Sequence, residues 1–121
     1  MEILKTVLMF VLAAFFAFAG YQHFKIPKFF LKITPPWVPY PKVVNIVVGI
    51  AEILLAIGLV VPETRVYSAW GMVALLIAVF PANIYHYTSG GAGTKVSMKF
   101  LKWRLPFQFV FLAWAYWYTI A

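Results

Sequence analysis

Glu52 is the residue from which the chemistry of this chain starts, because it is the only ionisable side chain in the apolar run Val43 to Val61. A carboxylate surrounded by hydrocarbon needs a partner, a proton or a water-filled cavity. Helical rise places it ~14 Å beyond Val43, near the middle of a ~30 Å hydrocarbon core. With no cation in reach, such a carboxyl takes up a proton and becomes a neutral hydrogen-bond donor. Asn45, Gly49 and Ala56 share its face at helical spacing. The other polar side chains fall near the ends of their apolar stretches: Gln22 and His23 after the first, Asn83, Tyr85 and His86 late in the third, Arg104 and Gln108 at the start of the fourth. In helices of alternating direction these positions meet at one end. The expectation is a one-sided polar pocket with Glu52 at its floor and Arg104, His23 and His86 at its entrance; an ion pathway would need ionisable groups in both halves.

Each of these residues also has a plainer role open to it. Asn45, Asn83 and Gln108 can bridge helices at ~1 kcal/mol apiece without any ligand. His23 and His86 would sit among headgroups as solvated side chains, and Arg104 would be a charge anchor, ~11 Å shallower than Glu52 by helical rise. Paired haem ligation needs two histidines facing each other across a bundle, and nothing else in the chain encodes it. With Cys 0, thiol relays, disulfides and thiolate metal sites are excluded. No metal set, nucleophile–base pair or nucleotide motif is visible, so independent catalysis is not indicated.

The elements that must position these groups follow from composition. The 121 residues are 64% hydrophobic and 11% charged, with a mean hydropathy of +0.90. That is too apolar for a soluble domain of this size. Apolar stretches at about 3–21, 43–61, 66–88 and 105–121 predict an all-α fold, a membrane four-helix bundle forming a single transmembrane domain over 1–121. The net charge of +7 does not point to nucleic acid, because the cations flank the apolar stretches. Lys25, Lys28, Lys32 and Lys42 border the first loop and Lys95, Lys99, Lys102 and Arg104 the third, against Lys5 and Arg65 opposite. The positive-inside rule then puts loops one and three in the cytoplasm and both termini outside, in the cell membrane. Glu2 beside Lys5, and the lack of a small-x-small site before Tyr21, favour a retained first helix over a cleaved signal.

The connections carry further expectations. Loop one holds Pro27, Pro35, Pro36, Pro39 and Pro41 among Phe29, Phe30, Trp37 and Tyr40. Lys28 to Ile33 suits a short interfacial helix, with the segment acting either as an aromatic belt anchor or as a lid over a cavity. Residues 61–65 suit a tight turn, Pro81 should bend or open its helix just before Asn83, Ser89 to Gly93 should be a flexible link, and Pro106 should start helix four. Ala13 with Ala17, and Ala74 with Ala78 and Ala82, have the spacing of close-packing stripes, and such a stripe also suits homo-oligomerisation. An offset of 63 carries His23 onto His86 and Asn45 onto Gln108, as a parallel internal repeat would, with both histidines then at one level of the pocket.

Several segments together resemble the DoxX-like family of small four-helix integral membrane proteins: Ala19-Gly-Tyr-Gln-His-Phe24, Pro35-Pro-Trp-Val-Pro39, Gly49-Ile-Ala-Glu52, Phe80-Pro-Ala-Asn83, Arg104-Leu-Pro-Phe-Gln108 and Ala113-Trp-Ala115. The resemblance covers nearly the whole chain. It implies a prokaryotic cytoplasmic membrane and a link with quinone or thiol redox systems, or with assembly of membrane partners. His23, Glu52, Asn83, Arg104 and Gln108 carry over by motif, while the missing cysteines leave a thiol role without its chemistry. The expected function is binding of a small amphipathic ligand, a quinone or lipid, in support of membrane redox processes. Its rivals are a non-catalytic subunit or assembly factor, docking through Phe107, Phe111, Trp114 and Trp117, and a proton-coupled carrier.

Overall fold

The computed structural model describes residues 2–120, in which the chain forms α1 (Ile3–Lys25), α2 (Pro27–Ile33), α3 (Pro41–Val60), α4 (Arg65–Thr88) and α5 (Met98–Trp117). Among the described residues there is no strand, so the all-α class holds. α1, α3 and α4 are long and apolar enough to cross a membrane. Their outer faces expose Val7, Phe10 and Phe18 on α1, Val47, Leu54 and Ile57 on α3 and Ile77 on α4. Water would not tolerate so much contiguous apolar surface on a monomer, and lipid does. The chain is a membrane protein. α5 differs in that Lys99, Lys102 and Arg104 occupy its first turns, leaving a shorter apolar remainder.

Neighbours in the fold follow chain order. α1 packs chiefly on α3, α3 on α4 and α4 on α5, each pair antiparallel, while α2 touches α1, α3 and α4. α1 and α3 cross where Gly20 meets Gly49. A Cβ on Gly20 would lie 2.7 Å from the Gly49 carbonyl oxygen, and one on Gly49 would lie 2.9 Å from the His23 Cβ. This glycine crossing corrects the expected alanine stripes: Ala17 and Ala74 are exposed, Ala78 borders a cavity, and of those alanines only Ala13 is buried. Spacing alone marks a close-packing face without telling which of two faces meets the neighbour. The tight turn at 61–64 forms as expected. Thr64 Oγ1 donates to the Gly58 carbonyl at 2.8 Å and Arg65 Nε to the Leu59 carbonyl at 2.8 Å, giving the orphan carbonyls of α3 both donors and a positive charge.

Helix ends depart from expectation where charged residues continue a helical pattern. α1 runs on to Lys25, past Tyr21, and α5 begins at Met98 rather than at Pro106, which lies inside it. Met98 to Leu105 is made largely of good helix formers, and a single missing donor at Pro106 does not outweigh them. Pro81 is likewise inside α4. The core, away from loop one, is filled by Met9, Leu12, Leu59 and Met72, each at most 1% exposed. α1 and α5 do not pack backbone to backbone. They meet through Phe15, edge-on to Phe111 at 6.0 Å and to Trp114 at 6.1 Å.

Candidate functional site

The glycine crossing determines what Glu52 can reach. Gly20-x-x-His23 on α1 and Gly49-x-x-Glu52 on α3 each place an ionisable residue one turn beyond the glycine, and the antiparallel helices bring the two together. His23 Nε2 lies 2.9 Å from Glu52 Oε1. Glu52 therefore has an ionisable partner in direct contact, one that supplies a cation only when His23 is protonated. Glu52 is level with Gly20: a Cβ on Gly20 would lie 3.2 Å from the Glu52 Cβ, and Gly20 is ~8 Å of helical rise from the α1 end at Lys25. α3 extends beyond the end of α1.

Asn45 fixes the histidine. Its amide nitrogen donates to the His23 carbonyl at 2.9 Å, which orients its oxygen towards His23 Nδ1 at 2.6 Å. Nδ1 is thus the donor, and one further proton is left to lie on Nε2 or on Glu52. The unit can exist as imidazolium and carboxylate or as imidazole and carboxylic acid, interconverted by a shift of that proton over a 2.9 Å contact. Phe30 of α2 stacks on the His23 ring at 3.8 Å and 20°, and His23 is only 9% exposed. It is not a solvated headgroup histidine.

A cavity of about 330 Å³ opens beside this unit. His23, Asn45, Glu52 and Asn83 supply its polar groups, with Thr34 at the lid; Leu75, Ala78 and Val79 of α4 form an apolar wall; α2 and the segment after it close the top with Phe30, Ile33, Pro35 and Val38. Loop one therefore divides its two expected roles. Phe30, Ile33 and Pro35 turn inward as a lid and Trp37, though 71% exposed, borders the cavity as well, while Tyr40, at 80%, projects outward as belt residues do.

The remaining expected site residues form two separate groups. Asn83 Nδ2 donates to Gln108 Oε1 at 3.2 Å, and Gln108 Nε2 donates to the Leu76 carbonyl at 2.9 Å. This is a bridge between α4 and α5, and neither amide is hydrogen-bonded to Glu52. Arg104 Nη2 donates to His86 Nδ1 at 2.9 Å, and His86 Nε2 lies 2.7 Å from Thr94 Oγ1, which donates to the Gly91 carbonyl at 2.7 Å. Because guanidinium only donates, His86 is neutral, with its proton on Nε2. It is 0% exposed and lies outside the lining of the cavity, so Arg104 and His86 are not an entrance. They tie down loop three, where Gly90, Gly91, Ala92 and Gly93 all have positive φ. In this arrangement both nitrogens of each histidine are engaged.

Thr94 and the inward turn of Phe29 and Phe30 were not visible as site features. Phe29 meets the His86 ring edge-on at 5.7 Å while Phe30 covers His23, so adjacent α2 residues contact both histidines. The paired Gly-x-x-His and Gly-x-x-Glu spacing was the one available signal for the His23–Glu52 contact. The expected docking set on α5 is also corrected: Phe111, Trp114 and Trp117 pack against the core, leaving only Phe107 mainly exposed.

Residues 12–119 match a family described as a domain of unknown function, DUF8561. The chain belongs to this family. No curated protein and no solved structure matches the chain. Within this family's matched region lie Glu52 and every histidine, amide and arginine described above, and their roles have to be argued from geometry.

Proposed function

We propose that this is a DoxX-like protein of the cytoplasmic membrane, a four-helix bundle in which α5 is the fourth span. In this reading it binds a small amphipathic molecule, a quinone or lipid, in support of membrane redox processes. The carrying observation is the 2.9 Å His23–Glu52 contact facing a cavity that is otherwise mainly apolar. Such sites combine apolar walls with a few convergent polar groups. A carbonyl or hydroxyl on the ligand head exchanges a hydrogen bond, and with a redox ligand a proton, with Glu52. Asn45 holds His23 in the tautomer that leaves Nε2 facing the carboxyl, and α2 shields the exchange from water. The cations of loops one and three support a cytoplasmic position for the lid. A proton-coupled carrier would need a route to Glu52 from the other end, where Met9, Leu12, Leu59 and Met72 fill the space between the helices.

The test is mass spectrometry of organic extracts from wild type and Glu52→Ala purified in mild detergent. A quinone or lipid enriched in wild type and lost in the variant is the expected result. Equal extracts from two folded proteins would overturn the reading in favour of a subunit or assembly role.

A further inference from the structure

Glu52 also lines a second hollow. A crevice of about 270 Å³ runs between α1 and α5, walled by Phe15, Phe16 and Phe18 on one side and Gln108 and Phe111 on the other. Ala19, Glu52, Leu75 and Val79 belong to both this crevice and the cavity beneath α2. The two spaces therefore adjoin across a thin wall that contains the candidate proton-exchanging group. Among the described residues, the crevice lies at the one seam where long neighbouring helices are joined by aromatic edges rather than by close backbone packing. Its rim residues Phe15 and Phe18 are 51% and 60% exposed on the apolar outer surface. Apart from Glu52, its only polar lining residue is Gln108, whose amide is engaged at both ends by Asn83 and Leu76.

From this juxtaposition, and resting on the ligand-binding reading above, we infer that the α1–α5 crevice is the lateral portal of the site. The ligand is an amphiphile whose polar head lies against His23 and Glu52 and whose single hydrocarbon tail leaves past Ala19 between α1 and α5 into lipid. Size supports the division. The crevice, at about 270 Å³, falls below the ~300 Å³ usual for a pocket that encloses a whole ligand, and the cavity, at about 330 Å³, only just reaches it, so the two together give an amphiphile room that neither gives alone. Chemistry supports it as well: the Glu52 carboxyl and the Asn83 amide oxygen line the cavity with hydrogen-bonding capacity beyond the contacts they already make, whereas the crevice offers a tail aromatic and aliphatic walls continuous with the bilayer. Entry from the side also avoids lifting α2, whose Phe29 and Phe30 are packed on both histidines.

The experiment is photolabelling of the full chain in lipid nanodiscs with a 4-alkylphenol carrying a diazirine at the end of its tail, with and without excess 4-nonylphenol. Peptide mapping should find competable label on α1 around Phe15 to Phe18 and on α5 around Phe111. Ala19→Leu, which places a larger side chain at the junction, should abolish the α5 label. Competable label confined to residues 30–38 would overturn the portal while leaving the site itself standing, since the tail would then leave beneath the lid. Absence of competable label anywhere would overturn the binding reading and the portal together. The wild-type map decides among these outcomes even if the Ala19 variant does not fold.

Discussion

His23 and His86 stand near the same end of two different helices, both buried, and they meet opposite chemistry. His23 faces a carboxylate beside a cavity, with one proton free to move between two atoms. His86 faces a guanidinium, which holds it neutral, and its other nitrogen is spent on Thr94 in a closed chain that ends at the Gly91 carbonyl. The same residue type is thus a candidate exchange group in one half of the molecule and a structural tie in the other. Partner and access decide the role, and position along a helix does not. The 63-residue offset that aligns the two histidines predicts equivalence, and the partners differ because the second half has no counterpart of Glu52.

The strongest way to break the comparison is to remove each ring. His86→Ala leaves a guanidinium donor and the Thr94 hydroxyl without their partner and should cost about 3 kcal/mol, read as lowered thermal stability in detergent, while the co-purified ligand is retained per folded molecule. His23→Ala should cost less, about 1 to 2 kcal/mol, because the adjacent cavity lets water solvate Glu52, yet it should abolish the co-purified ligand. Equal ligand loss in both variants would refute the division of roles. Glu52→Gln sharpens the first half: an amide can still hydrogen-bond His23, so stability should change by about 1 kcal/mol or less, and ligand occupancy should persist while ligand-linked proton uptake, followed with a pH dye, disappears. Thr94→Val should cost about 1 kcal/mol and speed amide exchange at 90–94 only. The least invasive check is nitrogen NMR of the histidines. His86 should show a protonated Nε2 and bare Nδ1, whereas His23 should show a protonated Nδ1 in every state.

The long helices were legible because an apolar stretch in a bilayer has almost no other way to satisfy its backbone. Their ends were less so: at Lys25 and at Met98 the apolar pattern stops while helix-forming residues continue. Every expected polar residue stood out against hydrocarbon, so Glu52, Asn45 and both histidines were easy to single out. Which of them would touch was another matter. Register between lipid-facing helices depends on where small residues permit close approach, and Gly20 and Gly49 did this work while the alanine stripes suggested other faces. Loop one was legible as interfacial, but not in the split that turns Phe30 towards a histidine and Tyr40 away.

The glycine crossing of α1 and α3 also bears on biogenesis. Membrane chains emerge from the ribosome N-terminal end first, and the early part can organise before the rest is made. His23 is on the first span and Glu52 on the next, so the carboxylate enters the bilayer with its partner already there. The cost of an isolated acid in lipid is then offset during synthesis, before α4 or α5 exists. The His86–Arg104 tie can close only afterwards, so the candidate site begins to assemble before the helices that complete its walls have been made.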